Sequence, residues 1–150
     1  MEKGGYTFHG INYSPTVAVA SRFGNPNNAV NPAFRDTVMH AEAFDSQTTN
    51  KPIEEQVFDH RRFQRYVQKW RDVTPGSGSY QNEGDGQEQD WVGAFYGKNW
   101  GRLVDAKKKV DPWGMFYAVS GVGSQEWEVR GSSGGGRDRV LTQDGRLCRV

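Results

Sequence analysis

A dense run of aromatic side chains at residues 78–117 constrains the fold of this chain more than any other feature. The run is interrupted by Gly97 and by the pair Asp111-Pro112. Because proline disfavours a helical conformation in the residue before it, the run is predicted to form short helices rather than one long helix. Aromatic side chains at helical spacing bury large areas and are typical of a packed core. The residues expected in that core are Trp91, Phe95, Trp100, Leu103 and Phe116.

The first part of the same stretch has a different composition. Tyr80, Asn82 and Glu83 lie in a segment rich in glycine and aspartate, which predicts a loop. Loops held on a rigid scaffold often carry function. Tyr80 offers a ring face and a hydroxyl group, Asn82 a donor and an acceptor, and Glu83 a carboxylate that can act as a base. This combination suits a flat ligand with polar edges, and both an isoalloxazine ring and a sugar fit that description.

A longer helix is predicted to begin at Pro52 and to end at Thr74-Pro75-Gly76. Glu54 and Glu55 lie in its first turn, where the helix dipole favours negative charge. An apolar stripe recurs along one face at Phe63, Val67 and Trp70. A basic stripe on another face, expected to be solvated, consists of Arg61, Arg65 and Lys69.

The remaining elements predict an α+β fold with a small antiparallel sheet and about three helices. Asp90 and Asn99 are the expected N-caps of the second and third helices, and Gly97 is expected to close the second. One strand is expected at 37–44, with Met39, Ala41 and Ala43 on its buried face. The other expected strands are 5–13, 116–119, 126–130 and 147–150, and the expected loops are 21–32 and 131–137.

Composition excludes several classes of function. The chain has 150 residues, enough for one ordinary domain, and its 19 basic and 18 acidic residues give a net charge of +1. That balance argues against nucleic-acid binding, which needs a concentrated basic surface. Cys148 is the single cysteine, so no intrachain disulfide can form. His9, His40 and His60 lack the spacing of metal ligands, and no metal site is predicted.

The sequence predicts no membrane association and leaves the cellular compartment unknown. The longest apolar runs are too short to span a bilayer, and the first ten residues, MEKGGYTFHG, have no hydrophobic signal core. The absence of a disulfide does not decide the compartment, since many secreted domains also lack one.

Several motifs, taken together, resemble one flavoenzyme family. They are Y-x-N-E-x-D at 80–85, D-W-x-x-x-F-Y-G-x-N-W-x-R-L at 90–103, K-x-K-x-D-P at 107–112 with Phe116, V-G-S at 122–124 with Trp127, G-R-L-C at 145–148, and N-A-V-N-P-A-F-R at 28–35. This pattern is similar to the berberine-bridge-enzyme-like C-terminal region of the fungal-type FAD-linked oxidoreductases of the vanillyl-alcohol-oxidase class. The similarity extends from Gly4 to Val150, and its specificity comes from the combination of motifs.

The resemblance implies an oxidase that passes a hydride from a small organic substrate to FAD, which oxygen then reoxidises. It places Tyr80 and Asn82 beside the isoalloxazine ring, and it places Asn99 and the turn at Gly97 close to the cofactor. Tyr80 and Glu83 are the implied catalytic residues. Plant members often have a tyrosine at the position of Glu83, and a carboxylate there would differ in pKa and in reach.

The resemblance also implies that this chain is the C-terminal part of a larger FAD-oxidoreductase fold. Residues 1–50 would end the sheet of the substrate domain, and residues 51–150 would form the berberine-like region as one structural unit. The family's FAD-binding domain has no counterpart in the sequence. We therefore expect the isolated chain to be inactive and to bind FAD poorly, and an FAD domain on the same or on a separate chain to be its partner.

Two other functions are compatible with the residues alone. The chain would be a non-redox module, derived from that family, if it used the surface around Tyr80 and Trp113 to bind a small hydrophobic ligand or a partner. It would be a carbohydrate-binding domain if its exposed aromatic rings stacked on sugars. Apolar residues left uncovered on the strands at 6–13 and 37–44 would favour the incomplete enzyme over the module.

Overall fold

The computed structural model describes residues 5–45, 50–133 and 144–150 of the chain. Two compact units are present: unit 1 comprises Met1–Pro26 and Ala33–Ser77, and unit 2 comprises Asn27–Pro32 and Gly78–Val150. The described residues form four α-helices and two antiparallel sheets of two strands each. The predicted α+β class is therefore confirmed. The division at residue 50 stays a prediction, since it separates family domains rather than compact units.

Unit 1 contains an antiparallel pair of strands and two helices. Strand β1 (Tyr6–Asn12) pairs with strand β2 (Met39–Asp45), in a register that joins Tyr6 to Asp45 and Asn12 to Met39. Helix α1 is Val17–Phe23 and helix α2 is Ile53–Val73. Both strands and the long helix agree with the sequence analysis, although Pro52 is the residue before α2 rather than its first helical residue.

Helix α2 covers only one end of the face that contains Tyr6. The ring of Tyr6, which is 6% exposed, lies 5.1 Å from that of Phe63, and the ring of Phe8 lies 5.8 Å from that of Trp70. Toward the other end of the same face, Met39 and Ala41 are exposed. The expectation that Met39 and Ala41 are buried is therefore wrong, because the helix does not reach them.

Helix α1 was not predicted, since the sequence analysis placed a loop from Ser21 onward. Thr16 stabilises the start of the helix, because its hydroxyl accepts a hydrogen bond from the Val19 amide at 3.3 Å. Gly24, rather than Ser21, marks its end. No helix in the described part of the chain is long and apolar enough to cross a membrane.

Unit 2 contains the other two helices and the second sheet. Helix α3 is Trp91–Phe95, helix α4 is Trp100–Val110, and strands β3 (Trp127–Arg130) and β4 (Arg146–Arg149) pair antiparallel. Asp90 is the N-cap of α3, as predicted, because its carboxylate accepts a hydrogen bond from the Gly93 amide at 3.2 Å. Strands β3 and β4 confirm the strands predicted at 126–130 and 147–150. Residues 134–137 of the predicted loop lie outside the described residues.

The predicted strand at 116–119 is absent from the described structure, and the segment is irregular. Asp111 explains the difference. Its carboxylate accepts hydrogen bonds from the Met115 amide at 2.9 Å and the Phe116 amide at 3.0 Å, and it pairs with Lys107 Nζ at 2.5 Å. These contacts fold residues 111–116 into a loop. Phe116, which was expected in the core, is 80% exposed.

The Asp111 contacts make a testable contribution to stability. The Lys107 ammonium and the Phe116 and Met115 amides lower the pKa of Asp111 from 3.8 to about 2. Because the folded pKa lies below the unfolded one, this contribution is full above about pH 5 and is lost as the pH falls toward 2. We expect Asp111→Asn to lower the unfolding midpoint by several degrees at pH 7 and by much less at pH 2, where the folded carboxylate itself becomes protonated, measured by circular dichroism. Equal losses at both pH values would contradict the assignment.

Candidate functional site

The aromatic side chains of α3 and α4 form the scaffold on which the candidate site is built. Phe95 and Tyr96 are 5% and 6% exposed, and the rings of Trp91 and Trp100 meet edge-on at 5.2 Å. The Tyr96 hydroxyl donates to the Ser120 carbonyl at 3.0 Å, and burial raises the pKa of this phenol. The expected core is therefore confirmed for Phe95, while Trp91, Trp100 and Leu103 are half-buried.

The loop that contains Tyr80, Asn82 and Glu83 rests on this scaffold. The Ser79 amide donates to the Ala94 carbonyl at 2.7 Å, which ties the start of the loop to α3. At the other end, a Cβ atom on Gly84 would lie only 2.4 Å from Phe95 Cε1, so the loop backbone packs directly on that ring. The backbone of the loop is thus fixed at both ends by residues of α3.

The side chains of the loop lie at the surface. Asn82 Nδ2 donates to the Tyr80 hydroxyl at 2.8 Å, and the Glu83 amide donates to the Tyr80 carbonyl at 3.2 Å. Tyr80 is 40% exposed, and Asn82 and Glu83 are also exposed. The structure therefore brings the Tyr80 and Asn82 side chains together, with the amide of Asn82 orienting the phenol of Tyr80, while Glu83 contacts Tyr80 only through its backbone amide in these bonds.

Gly97 is required by the close approach of Asn31. Its φ is +52°, and a Cβ atom there would lie 2.8 Å from Asn31 Oδ1. Asn31 is 5% exposed, and its Nδ2 donates to the carbonyls of Gly93 at 3.1 Å and Ala94 at 2.8 Å. Sequence reasoning did not single out Asn31, although it is part of the N-A-V-N-P-A-F-R motif.

The side chain of Asn99 holds the same segment rather than capping a helix. Asn99 is the N-cap residue of α4, as predicted, but its side chain makes no capping hydrogen bond to the helix. Nδ2 instead donates to the carbonyls of Asn28 at 3.1 Å and Val30 at 2.8 Å. These bonds use the side-chain nitrogen as a donor, whereas an N-cap accepts through its side-chain oxygen. The cofactor contacts expected of Gly97 and Asn99 stay predictions.

Gln87 is a further candidate that the sequence did not reveal. It is 5% exposed, and its Nε2 is buried without a hydrogen-bond partner among the described residues. Its backbone is fixed, since the Gln87 amide donates to Asp85 Oδ1 at 2.8 Å. A buried amide donor without an acceptor is costly, and native structures normally supply a partner.

A group of titratable residues in unit 1 also escaped the sequence analysis. Glu42 lies between two imidazoles, with Oε2 2.9 Å from His9 Nδ1 and Oε1 3.0 Å from His40 Nε2. The strand register explains the arrangement, because His9 lies directly opposite Glu42 and His40 shares a face with it. Strand alternation alone would have paired His40 with Glu42, but the position of His9 requires the register.

Comparison with known proteins identifies the segment that contains the Tyr80 loop. Residues 79–123 match the family described as "Berberine and berberine like". The FAD-linked oxidoreductase patO of Aspergillus clavatus is 33% identical over 152 residues, which are 97% of this chain and 23% of that protein. The bifunctional decalin synthase calF of Penicillium decumbens is 36% identical over 128 residues, which are 84% of this chain and 20% of that protein.

Comparison of the fold with solved structures identifies the same class of proteins. The crystal structure of the VAO-type flavoprotein VAO615 from Myceliophthora thermophila superposes with a TM-score of 0.72 at 30% identity, over 95% of this chain and 23% of that protein. The chain thus spans about a quarter of the length of the curated relatives that it matches. By sequence and by fold, it belongs to the berberine-like C-terminal region of the FAD-linked oxidoreductases of the vanillyl-alcohol-oxidase class.

Proposed function

We propose that this chain forms one wall of the active site of an FAD-dependent oxidase that acts on a small organic molecule. The observation that carries the proposal is the loop of Tyr80, Asn82 and Glu83. Its backbone is fixed on the buried Phe95, and its polar side chains lie at the surface. The loop also lies within the berberine-like segment, and the relatives of that segment are named FAD-linked oxidoreductases.

The residues of unit 2 fit one edge of such a cofactor. Tyr80 and Asn82 offer a ring face with a hydroxyl and an amide held together at 2.8 Å, which suits the polar edge of a flat ring system. The buried Nε2 of Gln87 is a donor that lacks an acceptor among the described residues. An acceptor on the cofactor, or on the part of the oxidoreductase that holds it, would satisfy this donor.

In this proposal the residues have distinct roles. Bound FAD would accept a hydride from the substrate and would be reoxidised by oxygen. Tyr80 and Asn82 would position the ring system, and Glu83 would accept a proton from the substrate. Asn31 keeps Gly97 and α3 in place beneath the loop. Gly97 and Asn99 would then approach the cofactor through their backbone, because the Asn99 amide already binds two carbonyls.

Exposed apolar residues support an incomplete enzyme over a self-sufficient ligand-binding module. Large side chains on β1 and β2 are 41–49% exposed: Phe8, Ile11, Met39 and Phe44. A module that works alone would normally bury such a group. We infer that the remainder of the oxidoreductase, which includes its FAD-binding domain, covers these side chains. The exposed aromatic rings that suggested carbohydrate binding are equally expected of a flavin site, so they do not favour a sugar.

The role of Tyr80 and Asn82 can be tested in a chimera. In the chimera, this chain replaces the matching segment of the VAO-type flavoprotein oxidase VAO615 of Thermothelomyces thermophilus, which is 33% identical to it. We expect Tyr80→Phe and Asn82→Ala each to weaken FAD binding about five- to tenfold, the loss of one hydrogen bond of about 1 kcal/mol. Both should also shift the visible absorption of the bound flavin.

Tyr66→Phe is the matched control, since Tyr66 is 42% exposed and Tyr80 is 40% exposed. The control should leave the flavin spectrum and the FAD affinity unchanged. If the Tyr80 and Asn82 variants behave like the control, the loop does not face the flavin.

A further inference from the structure

We propose that the loop of residues 111–116, here called the Trp113 loop, is the surface by which this chain docks onto the flavin-binding remainder of the oxidoreductase. The inference rests on the proposed function, but different observations carry it. It assigns a role to the K-x-K-x-D-P motif and to Phe116, which the candidate flavin site does not use.

The Trp113 loop presents large apolar side chains to solvent. Trp113 is 74% exposed, Met115 is 79% exposed and Phe116 is 80% exposed. Aromatic residues and methionine are enriched where proteins bind each other, and a few such anchors normally supply most of the binding energy. Three of them within four residues form a dense set of anchors.

The backbone of the loop is held in one conformation. Asp111 accepts hydrogen bonds from the amides of Met115 and Phe116, while Lys107 Nζ bridges Asp111 Oδ2 at 2.5 Å and the Phe116 carbonyl at 2.6 Å. Gly114 has a φ of +66°, and a Cβ atom there would lie 2.9 Å from Trp127 Nε1. Because the loop backbone is ordered before binding, it loses little conformational entropy on binding.

Exposure alone does not distinguish this loop from other exposed apolar residues, such as Phe23. Phe23 is 87% exposed, but it is the last residue of the seven-residue helix α1 and is followed by Gly24 at a φ of +154°. No ring contact is recorded for Phe23 in the described structure. Phe23 therefore offers a matched exposed phenylalanine outside the Trp113 loop.

The charges beside the Trp113 loop and the length of the relatives indicate which molecule binds the loop. Lys108 and Lys109 are exposed at the end of α4, immediately before the loop. In a symmetric dimer this patch would meet itself and bring the like charges together, which disfavours a second copy. Since the chain spans 23% of its relatives, more than three quarters of each relative is available as the partner surface. We expect an apolar recess there with a rim of carboxylates.

The test measures binding of the whole 150-residue chain to VAO615 oxidase from which the matching segment has been removed, in the presence of excess FAD. A 1:1 complex is expected by gel filtration. Trp113→Ala and Phe116→Ala should each weaken it at least about tenfold, whereas Phe23→Ala should leave the affinity unchanged. Circular dichroism of each free variant should match that of the unchanged chain, because the substituted side chains are exposed.

Several results would overturn the docking role. They are the absence of a complex, equal affinity for the loop variants and the unchanged chain, and a self-association of the free chain that Trp113→Ala abolishes. The last would identify a second copy as the occupant. Tyr80→Phe in the same complex separates the two proposals. If the flavin spectrum does not change in the Tyr80→Phe variant, Tyr80 does not face the flavin. A complex that Trp113→Ala weakens would still support the docking role.

Discussion

Replacement of Phe95 by alanine is expected to destabilise the chain by about 3 kcal/mol or more, the usual cost of removing a buried aromatic side chain. Phe95 is 5% exposed, and it supports both the α3 scaffold and the loop backbone at Gly84. Its removal would leave a cavity beneath the loop that positions Tyr80. Urea unfolding followed by circular dichroism measures the effect as a lower midpoint.

Phe116→Ala is the control for this prediction, because it deletes the same ring at a position that is 80% exposed. In the isolated chain we expect the control to change stability by less than about 0.5 kcal/mol, as is usual for surface substitutions. If the two variants unfold at the same urea concentration, Phe95 does not hold unit 2 together, and the account of the loop scaffold is wrong.

The isolated chain is expected not to retain FAD. The Tyr80 loop is a surface feature, with Tyr80 40% exposed, and it offers a ligand contact from one side. Ligand sites usually bury most of the ligand surface, and a single wall cannot do so. The chain spans only 23% of a relative named FAD-linked oxidoreductase. Joining the chain to the remainder of such an enzyme should therefore restore FAD binding.

Local patterns in the sequence predicted much of the fold. The residue preferences of β1 and β2, the glutamates after Pro52 and the cap at Asp90 each act over a few residues, and the structure confirms the two strands, the long helix and the cap. The motifs that led to the family are also contiguous, so their order could be recognised without knowledge of the tertiary contacts. The loop of Tyr80 was predicted for the same reason.

The errors arose where distant residues decide the structure. Asn99 has the right chemistry for an N-cap, but it binds carbonyls 69 and 71 residues away. His9 reaches Glu42 across 33 residues, through a register that sequence spacing does not reveal. Phe116 shows another limit: an aromatic residue at helical spacing suits either the core of its own chain or a surface that binds a partner. Only the structure showed that Phe116 lies outside the core of its own chain.

The flavin content of the protein after desalting tests the central claim most directly. Excess FAD is added to the 150-residue chain and to the chimera with VAO615, free FAD is removed, and the visible spectrum gives the ratio of flavin to protein. We predict no retained flavin in the chain alone and stoichiometric flavin in the chimera. A stoichiometric flavin spectrum from the chain alone would show that it is a complete flavin-binding protein and would contradict the account of it as one wall of a larger site.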